Sequence, residues 1–371
     1  MKRKRAMSSG GNTMGLYFHR KGETGQKLWN SIVTGVREGS LNLDLYLNKY
    51  LLMDGTKIHT GSPSQAKVAA MELLRNIRRF GINTRLTKGE GAPQVPIGQK
   101  VIEEYRRYHK LHSKLAEITF DLKTTSRLVV GLDEGGTYET GITLLRNYGV
   151  PYIPGTALKG VAKHYAVEKL VKSHWFKNGK FREELFDGIF EEETERLAGK
   201  YRKDGKKFNE DVYGAMEVTM LALEEESNEE KGEPPKEFLN WEISLNGETI
   251  TVSELRKIFG TKAKEGSVVF LDALPDPNNL ENILEWDIMN PHYSPYYQRN
   301  EVPGDWHNPT PIKFLVVKPD VRFLFRLRKA KTCTGNCDGL LTKAEALLME
   351  ALKNHGVGAK TALGYGRFDV P

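Results

Sequence analysis

Sulfur chemistry is nearly absent from this chain: its 371 residues hold two cysteines, Cys333 and Cys337, four apart in "TCTGNC". That is half of a zinc site, and no second cysteine pair completes it. A loop carrying two thiols is the expected state; a local disulfide is open but not predicted. Long apolar runs are missing too, which excludes a membrane-spanning helix. The basic start, MKRKRAMSSGG, has no apolar stretch behind it and so does not read as a secretory signal. The stretch "KGETGQK" lacks the spacing of a phosphate-binding P-loop, and no strand precedes it. No metal-ligand cluster stands out. These absences lead us to expect a soluble, cytoplasmic protein with no metal and no cofactor.

What is present is charge, unevenly spread. The net charge is +7, but residues 1–114 hold 21 Lys and Arg against 8 Asp and Glu, and residues 182–254 hold 9 against 21. A basic part and an acidic part on one chain suit a polyanion partner and a separate solvated or protein-facing insertion. A charge run can equally be a solvated face, so a nucleic-acid reading needs motifs.

Residues 1–25 predict a flexible arm, and 64–80 and 98–114 have the apolar spacing of helices. We therefore expect a basic, mainly helical region over 1–115. From 116 the pattern changes. Alternation over 116–131 predicts a strand. Pro154 and Gly155 break the chain, and Thr156 is the expected N-cap of a helix to about 172. The acidic region 176–262 carries little order signal and is expected to be an insertion with an exposed loop at "EEESNEEKGEPPKE". Strands are expected at 266–275 and, in two halves broken at 318–320, at 312–330. A helix over 342–356 would use Thr342 as its cap and Gly356 as its stop, and "ALGYGRFDV" would close the chain as a strand. Without the insertions, 176–262 and an aromatic-rich one at about 276–310, the order is β-α-β-β-α-β. That is an α+β, ferredoxin-like arrangement, also the frame of RNA-recognition domains.

Between the last helix and the last strand lies "GVGAKTALGYGRF", with Gly356, Gly358, Gly364 and Gly366 in two G-x-G pairs around Lys360. Glycine permits positive φ and close backbone approach, and exposed N–H groups in such a turn bind anions. A helix cap and an ordinary turn would account for Gly356 but hardly for all four.

This loop resembles the G-x-G-x5-G-x-G loop of the RAMP superfamily of CRISPR-associated proteins. "YGVPYIPGTALKG" is similar to the helix-opening signature of that superfamily. "LDALP", "DIMNPHYSPYY" and "PTPIKFLVV" are similar to its sixth-subunit group, which caps one end of the type III-B (Cmr) effector complex. The resemblance runs from about 116 to 370. It implies a ferredoxin-like core and assembly with other Cmr subunits, especially the backbone RAMP subunit and the neighbouring end subunit. It also implies contact with guide and target RNA near the guide's 3′ end, in antiviral defence. It does not imply catalysis.

The residues themselves agree. The helix opening at Gly155 and Thr156 offers free N–H groups at a positive dipole end. Lys159 and Lys163 share a helical face beside His164, and Arg127 and Arg146 flank the opening in sequence. With the loop glycines, Lys360 and Arg367, these are the expected RNA-binding residues. Backbone and phosphate contacts carry no base preference, which suits a protein that must accept any guide. The stretch 286–308 adds Trp286, His292, Tyr293, Tyr296, Tyr297, Trp306 and His307. These aromatics are candidates for a protein interface or packing first and for base stacking second.

Some RAMP proteins cut RNA, one class with histidine acid–base chemistry and another with an aspartate shortly before an arginine. If Arg146 is that arginine, the aspartate position falls on or near Gly141. Asp133, Glu134 and Glu139 are out of register. His164, His292, His307 and His355 form no recognisable pair in the sequence. We therefore expect no catalytic residue, keeping open an endoribonuclease acting on guide precursor or target RNA, and an assembly protein that barely touches RNA.

Overall fold

The computed structural model describes the backbone at 16–19 and 50–53 and most residues from 99 to 371; outside the description are 1–15, 20–49, 54–98, 134–139, 204–210, 225–234, 246, 281–282 and several positions within 292–310. The expected helix over 64–80 lies outside it, as do residues 225–234 of the loop expected at 224–237, whose described ends, Glu224 and Lys236–Glu237, are helical instead. Inside the expected flexible arm, β1 (Leu16–His19) instead pairs in parallel with β2 (Tyr50–Met53). Both are short apolar and aromatic runs that favour extended backbone.

Helix α1 (Gln99–Ser113) matches the helix expected over 98–114. Its Val101, Ile102 and Tyr105 are buried in the main core, and Tyr105 Oη donates to the Pro275 carbonyl at 2.7 Å. This helix of the basic region thus packs with the residues that follow it. Next come β3 (Ile118–Thr124), a two-residue ladder β4–β5 (Leu144–Leu145 with Val150–Pro151) and α2 (Gly155–His174). Helix α2 buries Leu158, Ala162, Tyr165, Ala166 and Leu170, the three-and-four spacing that turns one stripe inward.

The acidic region is more ordered than its composition suggests. It holds the hairpin β6–β7 (Phe176–Lys177, Lys180–Phe181) and α3 (Glu184–Asp187), α4 (Glu191–Lys203) and α5 (Val212–Glu224). α6 (Lys236–Leu239), the hairpin β8–β9 (Glu242–Leu245, Glu248–Thr251) and α7 (Val252–Phe259) follow. At its centre Trp175 stacks on Phe190, Phe190 and Trp241 each meet Phe238 edge to face, and Trp175 Nε1 donates to Thr219 Oγ1 at 2.9 Å. The charges sit outside while large aromatics fold inward, so net charge was a poor guide to order.

The strand expected at 266–275 is two pieces, β10 (Val268–Phe270) and β11 (Leu274–Pro275), both antiparallel to β14 (Arg322–Lys329). The two halves expected over 312–330 separate as foreseen, but into different sheets: β12 (Leu284–Met289) pairs β13 (Ile312–Val317), whereas β14 pairs β3. Helix α8 (Cys337–Asn354) starts five residues before the expected cap. Asn336 caps it by accepting from the Gly339 amide at 3.1 Å, and Thr342 lies inside, donating to the Asp338 carbonyl. Cys333 and Cys337 form a disulfide across that start. The closing strand is only β15 (Phe368–Asp369); residues 361–363 make a 3-10 turn, because positive φ at Lys360, Gly364 and Gly366 breaks extension.

The main sheet runs β10–β14–β3–β15, all neighbours antiparallel, with Phe368 and Asp369 facing Thr124 and Lys123. Alternation puts Phe323, Phe325 and Leu327 on one face, where they join the core, and Arg322, Leu324 and Arg326 on the other. α2 and α8 pack on each other and against β10 and β14; α1 reaches Arg326 on the second face.

Candidate RNA interface

The glycine loop is folded against the strap that follows β3. Gly366 N donates to the Arg127 carbonyl (2.7 Å), Ala359 N to the Val129 carbonyl (2.8 Å), and Val357 N to the Gly366 carbonyl (2.9 Å). Gly358 has φ +95, and a Cβ there would stand 2.3 Å from the Val129 carbonyl oxygen. Glycine is therefore required at 358 by the chain's own packing. Gly356 ends α8, its amide reaching the Ala351 carbonyl, and Gly364 faces open space. Lys360 lies over the Phe314 ring on β13, 5.3 Å from its centre. Arg367 is exposed at the far end.

The helix opening differs from expectation. Thr156 is exposed and does not cap α2; Pro154 takes the cap position with no side-chain bond. Asp272, from the β10–β11 connection, accepts the Gly155 amide at 2.8 Å. Gly155 is needed because a Cβ would lie 2.1 Å from the Phe270 carbonyl oxygen. A protein carboxylate thus fills the position where an incoming anion would meet the dipole.

The cations divide. Lys163 pairs with Glu224 at 2.5 Å and is mostly buried. Arg127 pairs with Glu285 (2.7 Å) and Asp287 (3.2 Å) of β12, and Asp287 also accepts from Tyr365 Oη. That network ties the glycine loop to the β12–β13 hairpin and spends most of the Arg127 charge. Lys159 is half-buried and forms no ion pair among the described residues; burial and then Lys163 lower its pKa. Arg146 is exposed on the β4–β5 turn. Among the described residues Lys159, Lys360 and Arg367 thus form no ion pair, and they sit on two separate supports, the opening of α2 and the glycine loop.

Two histidines separated by 191 residues meet. The His164 and His355 rings are 5.6 Å apart, and His355 Nε2 bonds to Glu168, which also receives Lys172. Burial, then His355, lowers the His164 pKa. No local pattern announced this cluster, because α8 delivers His355 from the far end of the fold. No group of three or more His, Cys, Asp or Glu among the described residues could hold a metal. Gly141 is buried, its amide donating to the Leu132 carbonyl at 3.1 Å, and Asp133 is exposed; Glu134 and Glu139 are outside the described residues. So are His292, Tyr293, Tyr297 and His307. Tyr296 and Trp306 are exposed, and Trp286 packs on the core.

Residues 121–369 match the RAMP superfamily. Two curated relatives are similar. "CRISPR system Cmr subunit Cmr6" of Pyrococcus furiosus is 38% identical over 91% of this chain and 96% of its own length. "CRISPR system CMR subunit Cmr6" of Saccharolobus solfataricus is 29% identical over 32% of this chain and 37% of its own. Among solved structures, the crystal structure of Cmr6 from Pyrococcus furiosus aligns with TM-score 0.36 at 38% identity, over 68% of this chain and 97% of that one. A chain of the type III-B Cmr-beta complex bound to cognate target RNA aligns with TM-score 0.41 at 16% identity, over 85% and 77%.

Proposed function

This chain belongs to the RAMP superfamily, and on that premise we propose that it is a non-catalytic RNA-binding and assembly subunit of a type III-B CRISPR effector complex. In this reading it caps the backbone near the guide's 3′ end, contacts guide and target RNA, and meets the backbone RAMP subunit and the neighbouring end subunit in the cytoplasm. The observation that carries it is the end-to-end similarity to the Pyrococcus furiosus relative, a Cmr subunit by its description. The strand order β10–β14–β3–β15, with α2 between β3 and β10 once the helices and hairpins of 176–262 are set aside and α8 between β14 and β15, supports a ferredoxin-like core. No helix among the described residues is long and apolar enough to cross a membrane.

Lys159, Lys360 and Arg367 supply phosphate contacts that ignore base identity, leaving specificity to guide pairing. The test is to reconstitute the complex with and without this chain on one guide RNA. Target RNA binding should weaken without it while the cleavage positions persist. Equal binding in both preparations would refute the role.

An endoribonuclease is the second reading, and the His164–His355–Glu168 cluster is the observation that favours it. A carboxylate-held imidazole beside a second imidazole of lowered pKa is a usable acid–base pair. Metal-independent cutting of RNA by the purified chain, lost in His164→Ala and His355→Ala, would establish it over the first.

A further inference from the structure

Arg326 is fully buried on β14. Its Nη2 donates to His109 Nε2 (2.8 Å) and to Ser113 Oγ (3.0 Å), both on α1. Among the described residues its Nε and Nη1 are buried without a hydrogen-bond partner, and so is His112 Nδ1. No carboxylate among the described residues forms an ion pair with it. A buried cation without counter-charge is costly, and packed apolar groups commonly serve stability better.

The helix above does little to offset that cost. Its contact stripe is apolar in the first two turns, at Val101, Ile102 and Tyr105, and polar in the last two, at His109, His112 and Ser113. Leu111 and Leu115 meanwhile stand 63% and 57% exposed. Burial, then Arg326 itself, holds His109 neutral with a pKa of about 4, so it brings no charge to the contact. Local conflicts of this kind concentrate at functional sites.

We propose that Arg326 is a phosphodiester-binding residue sheltered beneath α1, and that RNA backbone replaces the polar half of α1 upon it. The inference rests on the RNA-binding reading above and adds a site to it. Alternation puts Arg322 and Arg328 on the same face of β14, with Lys123 opposite Arg322. Helix α1 and the residue after it carry Lys100, Arg106, Arg107, Lys110 and Lys114 against Glu103 and Glu104. Arg322 pairs with Asp121 and, at 3.9 Å, Asp276, and Lys123 pairs with Asp320, whereas Arg326 and Arg328 form no ion pair among the described residues, so these two and the cations of α1 are the charges that gather a polyanion. A guanidinium with unused donors suits phosphate oxygens.

The test compares the full chain with Arg326→Met, which keeps the side-chain length and removes the charge. The melting temperature of the variant should rise by about 2–4 °C. Its affinity for a fluorescein-labelled, mixed-sequence single-stranded RNA should fall about tenfold, with the salt slope reduced by roughly one. Unchanged affinity and slope would overturn the proposal and leave Arg326 a structural residue. Should the variant not fold, hydrogen exchange of residues 109–117 in the wild type decides: RNA should speed it, and unchanged or slower exchange overturns the proposal. Equal acceleration by inorganic phosphate overturns the assignment to RNA. A wild-type chain that binds no RNA removes the RNA-binding reading as well, whereas full binding by Arg326→Met removes Arg326 alone.

Discussion

The Gly155 amide donates to Asp272 Oδ1 at 2.8 Å, so the positive end of α2 already holds a carboxylate. Asp272 sits on the β10–β11 connection, where the Ile153–Ala273 bridge also joins the two segments. Removing it frees an orphan donor and a favourable charge–dipole contact. Asp272→Ala should cost about 1–2 kcal/mol in chemical denaturation. RNA affinity should hold or rise, since a negative group leaves. A drop in affinity in a folded variant would show that Asp272 shapes an RNA-competent opening.

Within the glycine loop, position matters more than residue type. Gly358→Ala should destabilise by more than about 2 kcal/mol, because positive φ combines with a clash against the Val129 carbonyl. Gly364→Ala meets open space and should cost about 1 kcal/mol, the positive φ alone. Melting temperatures of the two variants check the order. Similar losses would mean that the Val129 contact is looser than described.

The lysines separate by their partners. Lys159→Ala and Arg367→Ala should each weaken RNA binding for all sequences alike and reduce the salt slope by roughly one. Lys163→Ala should chiefly lower stability, since it strands Glu224. Lys360→Ala should do both, losing a charge and its seat on Phe314. Anisotropy titrations at several salt concentrations distinguish these outcomes, and an unchanged slope in the Lys159→Ala, Lys360→Ala double variant would assign the loop to packing or subunit contact.

Stability should fall as pH drops from about 6.5 toward 4. His109 has a folded pKa of about 4 against an ordinary 6.5, so the unfolded chain binds the extra proton in that window and folding loses ground as pH falls. His112 and His164, also lowered, act in the same sense. Glu345, raised by burial, acts in the opposite sense. The His109 contribution is at most about 3 kcal/mol. Denaturation midpoints at pH 7 and pH 5 test this, with His109→Gln expected to flatten the difference. An equally steep loss in that variant would locate the titration elsewhere.

Much of the layout was legible in the sequence. The order of the core elements β3, α2, β10, β14, α8 and β15 follows from alternation, helical spacing and breakers, all local properties, but the helices and hairpins of 176–262 and strand β12 do not. The break at 318–320 and the stop at Gly356 were legible for the same reason. The misread caps at Thr156 and Thr342 have different causes. A local rule chose a hydroxyl in each case, whereas the Gly155 amide is met by Asp272, 117 residues away in sequence, and α8 starts five residues earlier than expected, on Asn336.

The sequence by itself determined the residue types at the interface: four glycines around a lysine, a proline–glycine break before a helix, and a basic segment ahead of an acidic one. Tertiary structure alone decided which of those cations remain unpaired. Lys163 and Arg127 looked as free as Lys159, and lost their freedom to Glu224, Glu285 and Asp287 from distant elements. It also buried Arg326 under α1 and brought His164 to His355. The physical reason is range. Backbone preference acts over a few residues, but an ion pair or a desolvated charge depends on whatever the closed sheet and its helices bring within about 4 Å.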